Sequence, residues 1–254
     1  MRKFKDFIRK KKIEPILITA IPVHGKHAKT KKPMKKSLKE SHDISTHTWY
    51  QHGDNDHLGN SIHEVDAKLH HNDQKWLDHG PTFHKHMQHY TEDSSSLNTP
   101  LIHHARDGKA LYADKHDAIN HLQNHLHSHS LDHDLHVYHG TYSWHPGNEA
   151  SKHPERKVKL PTFVSSSINK ETAHGFASRD DYGEGDDIPA SKRHVLHIHL
   201  KKGDPGMYIG RRSSVAKNEH EYVIPHSTVF KIHPKPTKLT DGTHVWHAHV
   251  DHGD

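Results

Sequence analysis

The chain has 254 residues, of which only 30% are hydrophobic and 36 are histidine; it carries a formal charge of +5 and no cysteine. The missing cysteines exclude disulfides, thiolate metal sites and a cysteine nucleophile together. The low apolar content is uneven, because the first forty residues are largely a Lys/Arg series running from Arg2 to Lys39.

Residues 1–45 therefore read as a basic, disordered arm, a form of charge run that favours anionic partners such as DNA. Inside it, IEPILITAIPV (13–23) is too short to span a bilayer. Glu14, Pro15 and Pro22 interrupt it and no small-residue cleavage site follows, so neither a membrane segment nor a secretion signal is expected.

From about residue 46 to 130 the pattern is helical with loops. DKHDAINHLQNHL (114–126) sets Ala118, Ile119, Leu122 and Leu126 on one face, with Gly108 as a breaker and Asp114 in a plausible N-cap region. The texture then changes. Short β-like runs occupy 135–142, 161–168, 194–200, 221–225 and 229–234, each bounded by Gly, Pro, Asp or Asn. A short helix, NKETAHGFA (169–177), lies between the second and third. Helices first and strands later predict an α+β fold. The alternating THVWHAHV (243–250) reads as an edge strand within a histidine-rich tail, 236–254.

Abundance of histidine does not make a metal site. His121 and His125 have a spacing that can hold one metal on a helix. No set of three or four converging, oriented ligands is legible, so no dedicated site is expected. Many imidazoles titrating near pH 6.5 would make the chain far more cationic in mild acid.

The residues that invite chemistry lie in or beside the β-like runs: Tyr138-His139-Gly140-Thr141, Phe163-Val164-Ser165-Ser166-Ser167 and Glu219-His220-Glu221. In an extended chain Glu219 and Glu221 point to the same face and His220 to the other. Two carboxylates crowded on one face repel unless a site uses both.

In order and setting these elements resemble the mono-ADP-ribosyltransferases of the binary-toxin-like type. That family carries an aromatic-Arg/His-Gly strand, an aromatic-x-Ser-Thr-Ser strand and a Glu-x-Glu at the start of a late strand. The resemblance spans about residues 85–235 and includes HYTEDSSSLNTPL (89–101), AHGFASR and KKGDPGMYIG. It implies a catalytic domain over 46–235, built as two packed, mostly antiparallel sheets with flanking helices.

By the same resemblance NAD is the substrate, and its ADP-ribose passes to an arginine of a target protein. Glu221 would stabilise the oxocarbenium-like ribose, Ser165 would orient Glu221, and Glu219 would align the acceptor guanidinium. Tyr138, His139, Gly140 and Ser165 would bind NAD, with Phe176 on the nicotinamide and Arg179 on the phosphates. Two departures stand out. His139 replaces the arginine usual beside Ser-Thr-Ser and Glu-x-Glu, so the bidentate, permanent charge is lost. Ser166 replaces the middle Thr.

MRKFKDFIRKKK further resembles the targeting segments of internal head proteins of T4-like phages, and Leu38-Lys39-Glu40 fits their Leu-x-Glu cleavage pattern. This implies an enzyme packaged with DNA in a capsid interior and injected into the host cytoplasm. The alternative setting is a bacterial effector secreted or injected by another route. A monomer with no membrane association is expected. Two other functions stay open: NAD hydrolysis without an acceptor, and a degenerate, His-rich protein that binds metal or nucleic acid.

Overall fold

The computed structural model describes residues 54–59, 61–72, 80–111, 113–142, 144–178, 188–210 and 219–253. The basic arm, the 13–23 segment, the Leu38-Lys39-Glu40 motif and Arg179 lie outside the described residues.

Among the described residues four helices come first: α1 (Ile62–Asn72), α2 (Pro81–Glu92), α3 (Ser95–Asp107) and α4 (Ala113–Ser128). Each buries a face at helical spacing. In α2 this is Phe83, Met87 and Tyr90; in α3 it is Leu97 and Leu101; in α4 it is Ala118, Ile119, Leu122 and Leu126, as the periodicity predicts. Pro81 opens α2 at a position where a missing N–H costs nothing. Gly108 closes α3 in the left-handed conformation at φ 66°. The N-terminus of α4 lies one residue earlier than expected, so Asp114 sits inside its first turn.

Among the described residues nine strands follow, interrupted by two more α-helices. They are β1 (Leu135–Thr141), β2 (Lys157–Lys159), β3 (Val164–Ser167), β4 (His194–Leu200), β5 (Met207–Tyr208), β6 (Glu221–Ile224), β7 (Val229–Ile232), β8 (Thr237–Lys238) and β9 (His244–Val250). Helix α5 (Pro146–Ser151) follows β1, and α6 (Lys170–Ser178) follows β3. The sheet order is β2-β7-β9-β4-β1-β3-β6-β5, with β8 on β9. Among the described residues only β4 and β9 pair in parallel.

Two expectations change here. The strands form one mixed, mostly antiparallel sheet, not two packed ones. Its halves join where Tyr138 of β1 pairs with Ser167 of β3. Beside this single rung, His139 Nδ1–H donates to the Ser165 carbonyl at 2.7 Å, so a side chain supplies what the backbone ladder lacks. The second change concerns β9, which lies between β7 and β4 and is not an edge. Val245, Trp246 and Ala248 are buried in the core, so residues 244–250 belong to the same domain as the earlier strands.

The core has two principal parts. Leu135, Val137, Leu196, Ile198, Phe230 and Trp246 form one with α1 and α5. Helices α2 to α4 pack on Phe163, Met207, Ile209 and Val223 to form the other. The junction of β1 and β3 falls at the boundary between them, and there the chemical residues gather. Among the described residues no helix is long and apolar enough to cross a membrane.

Candidate active site

Strands β1, β3 and β6 are neighbours in the sheet, which places the three polar elements side by side. Ser167 pairs with both Tyr138 and Glu221, so the register carries straight across from β1 to β6. Ser165 lies two residues along β3, on the same face as Ser167 and diagonal to Glu221.

Glu221 opens β6 and is buried, 6% exposed. The Ser165 hydroxyl acts on its carboxylate and favours the charged form. Burial nevertheless dominates and raises the Glu221 pKa to about 7, with the Glu219 charge adding to the rise. Glu219 is half-buried and its pKa is also raised, by desolvation.

The two glutamates are not consecutive outward positions of one strand. Glu219 precedes β6, and His220 between them sits at φ 49°, in the left-handed region. The turn is held from below and from the side. His220 Nδ1 lies 3.3 Å from Asp66 Oδ1 of α1, and Tyr208 donates to the same Asp66 oxygen. Ser167 Oγ–H donates to the Glu219 carbonyl at 2.5 Å. His220 therefore points away from the carboxylates as expected, but as a buried anchor of the turn that sets their separation.

The serine triplet divides its work. Ser166, on the opposite face, donates to the Tyr222 carbonyl at 2.7 Å. A threonine hydroxyl would make the same bond, which is why serine serves there. Ser165 receives support that its motif does not announce. The hydroxyl of Tyr90, fully buried on α2, lies 2.8 Å from Ser165 Oγ. The Ser165 and Asn98 side chains both favour the ionised form of Tyr90, against the burial and the Glu221 charge that raise its pKa. Asn98 also clasps Phe163 at both backbone atoms, at 3.2 and 3.1 Å. Residues of α3, α2 and β3 thus converge behind Glu221, with the Tyr90–Ser165 hydrogen bond as the link next to it. The segment 89–101 carried this signal without revealing the contact.

His139 is desolvated, which lowers its pKa. With Nδ1–H donating to Ser165, the neutral ring keeps Nε2 as an acceptor. Two of the residues grouped with it do other work. The Tyr138 side chain is 3% exposed, donates to Asp54 and stacks on His197 at 4.8 Å, on the face of β1 opposite His139. Gly140 lies under α6, where a Cβ would come 1.8 Å from the Ala173 carbonyl oxygen. Its role is close packing of helix on strand. Phe176, on that same helix, is 46% exposed and is the exposed large hydrophobic side chain among the described residues.

A buried carboxylate beside a serine, a second carboxylate and a neutral imidazole can stabilise developing positive charge and accept a proton. The sequence matches the model of the ADP-ribosyltransferase exoenzymes over residues 71–245, more than half the chain. The chain belongs to the ADP-ribosyltransferase exoenzyme family.

Members of the ADP-ribosyltransferase exoenzyme family transfer ADP-ribose from NAD. Among solved structures, the chain resembles an ADP-ribosyltransferase from Clostridium botulinum, with TM-score 0.60 and 14% identity, covering 76% of this chain and 97% of that one. It also resembles a protein from S. aureus solved with NAD, at TM-score 0.55 and 15% identity over 75% and 96% of the two chains. Exoenzyme S from Pseudomonas aeruginosa, solved with human 14-3-3 protein beta and carba-NAD, gives 0.52 and 16% over 73% and 81%. At these identities the likeness is one of fold. No curated protein sequence matches the chain.

Proposed function

We propose that the protein is a mono-ADP-ribosyltransferase that moves ADP-ribose from NAD to an arginine of a target protein. The observation that carries this is the Glu221 carboxylate, buried next to Ser165 of the adjacent strand, with Glu219 close enough to perturb it.

The chemistry follows from these groups. The bond between ribose C1′ and the nicotinamide nitrogen breaks, and the bonding pair leaves with nicotinamide. Positive charge develops on the ribose. Glu221, holding the 2′-hydroxyl, stabilises that charge in a desolvated site where electrostatics is strong. His139 accepts from a ribose hydroxyl through Nε2. This contact suits a neutral imidazole and replaces the phosphate clamp that an arginine would give. Phe176 offers an exposed ring on which nicotinamide can stack. Glu219 aligns the acceptor guanidinium and takes the proton released when its nitrogen bonds to C1′. Its raised pKa brings it nearer neutral pH, as a general base requires.

Incubation with labelled NAD and a cell lysate tests the reading. Label is expected on protein with the wild type and is lost with Glu221→Gln; equal labelling by the two would overturn it. Glu219→Gln separates transfer from hydrolysis. We expect it to keep nicotinamide release while protein labelling disappears, and loss of both together would remove the acceptor role. The setting we favour is an enzyme packaged with phage DNA, supported by residues 1–12 and 38–40 alone. N-terminal sequencing of the mature protein decides it, with Ser41 as the expected first residue.

A further inference from the structure

The histidine runs HVLHIHL and HVWHAHV play no part in the transferase site, yet the parallel pairing of β4 and β9 brings them into register. His197 stands opposite His247, and His199 opposite His249. The second pair extends in both directions, since His199 pairs with His136 on β1 and His249 with Lys231 on β7. Four nitrogen bases thus lie in one row across four strands, on one face of the sheet. His136 and His199 stack at 4.4 Å with their planes 2° apart. Identical charges directly opposite one another destabilise a sheet, so such a row calls for a reason.

Helix α6 covers one end of this face through Tyr138, Val195 and Val245. At the other end opens a cavity of about 520 Å³, lined by the row and by His197, His247, Lys201, His233 and Arg156. Neither His139 nor Ser165, Glu219 or Glu221 lines this cavity, which is therefore separate from the Glu221 cleft.

Arg156 is the built element. Its φ of 57° is a left-handed conformation that side chains other than Gly, Asn and Asp rarely adopt. The strained backbone delivers a guanidinium that donates from Nε to the Ile232 carbonyl at 2.8 Å and from Nη2 to the His233 carbonyl at 3.2 Å. Among the described residues no carboxylate pairs with it, nor with Lys201 or Lys231. The acids nearby are engaged elsewhere. Glu155 and Asp251 hold Lys157 at 2.7 and 3.1 Å, Asp134 lies 3.4 Å from His199, and Asp54 takes the Tyr138 hydroxyl 3.7 Å from His197.

We propose that this cavity binds a compact polyphosphate group, with Arg156, Lys201 and Lys231 as permanent charges and the histidine row taking up protons as the anion enters. Guanidinium and imidazolium donors suit phosphate oxygens, and the volume suits a ligand of nucleotide size. Burial and then the neighbouring His199 hold the His136 pKa at about 4, and burial, Lys231 and Lys201 lower His249. Lys170 and His57 add to the field on His197 and His136, while Asp54 and Asp134 oppose it at His136. An anion reverses the balance, raises these pKa values and so binds with proton uptake.

Calorimetry of the full chain with tripolyphosphate and with ADP, at about pH 6 and about pH 8, tests the proposal. A phosphate loses its second proton near pH 6, so a fixed-charge site would bind more tightly at the higher pH. We expect the reverse, with Kd at least about tenfold lower at the lower pH and Arg156→Gln weakening binding about tenfold or more. Tighter binding of ADP than of tripolyphosphate identifies a nucleotide as the source; the opposite order identifies free polyphosphate. Lys231→Gln and His249→Gln, both at exposed positions, must also weaken binding, and they decide the matter if Arg156→Gln does not fold. Saturating NAD and Glu221→Gln should leave it unchanged. No binding at the lower pH, or equal binding by wild type and these variants, overturns the proposal. The second result would assign the anion to the unchanged basic arm.

Discussion

The hydroxyl of Tyr90 lies 2.8 Å from Ser165 Oγ, and the Ser165 hydroxyl in turn favours the charged form of the Glu221 carboxylate. This contact makes Tyr90 a positioning residue that touches no substrate. Its raised pKa, caused by burial and the Glu221 charge, keeps the phenol protonated and able to donate. Tyr90→Phe removes one hydrogen bond worth about 1 kcal/mol from a chain that fixes one rotamer. Roughly fivefold lower kcat with little change in KM for NAD is expected. The readout that separates positioning from mere loss of fold is the pH profile. Ser165 freed from Tyr90 stabilises the carboxylate less, so the acid limb should move to higher pH. An unmoved limb would reduce Tyr90 to a core residue.

Glu221 acts as a carboxylate, and its pKa of about 7 lies well above the ordinary 4.5. Turnover should therefore rise through about pH 7 and level off above it, as long as Glu221 is the controlling group. The folded state binds the extra proton between pH 4.5 and 7, so the contribution of Glu221 to stability falls as pH rises across that interval. Glu221→Gln should cost at least about a hundredfold in rate, or about 3 kcal/mol. It should also raise the melting temperature at about pH 8 and leave it nearly unchanged at about pH 5. Thermal unfolding at both pH values checks the pair. A variant less stable at the higher pH would contradict the burial of a charged carboxylate.

Much of this arrangement is legible in the residues alone. The runs 135–142, 161–168, 194–200, 221–225 and 229–234 each contain an observed strand, because short β-branched segments between breakers leave few alternatives. Strands β2, β5 and β8 are two or three residues long and exist only through their partners, which no local pattern encodes. The placement of β9 depends on parallel pairing with β4 across more than forty residues, so alternation alone makes it an edge. Within the site, motif order is enough to find Ser165 and Glu221. It cannot find the left-handed turn at His220, which rests on Asp66, 154 residues away. The motif assigns Gly140 to the cofactor, whereas only the crossing of α6 shows why no side chain fits.

Acid should weaken the fold, and the histidines say where. His136, His194 and His226 all have pKa values of about 4, in each case through burial first and nearby positive charge second. The geometry agrees for two of them. Trp246 Nε1–H donates to His194 Nδ1 at 3.3 Å, and His136 Nδ1 lies 2.8 Å from His197 Nε2, so a second proton on either pair breaks a hydrogen bond. The unfolded chain, with imidazoles near 6.5, takes up protons first as pH falls. Stability is thus highest above about pH 6.5 and is lost progressively towards pH 4, by at most about 1.4 kcal/mol per pH unit for each such group. Urea unfolding across this range should show the midpoint falling; a constant midpoint would mean these rings are already charged in the native state.

Gly140 links stability to the site, because α6 crosses β1 directly above it. A Cβ there would stand 1.8 Å from the Ala173 carbonyl oxygen, 2.8 Å from its carbon and 2.9 Å from the Ala177 nitrogen, all of them backbone. No rotamer change relieves such an overlap, so α6 must lift from the strand. Gly140→Ala should therefore destabilise by about 2–3 kcal/mol, at the upper end for overpacking. The displacement would be felt at both ends of the crossing. Phe176 rides on α6, and His139, next to Gly140, bonds Ser165 of β3. KM for NAD should rise together with the loss of stability even where the protein remains folded. Ala173→Gly removes a Cβ beside the contact without touching the carbonyl, so it should not rescue the variant. Rescue by that change would show that the clash lies between side chains and that the helix backbone is not what excludes a residue larger than glycine.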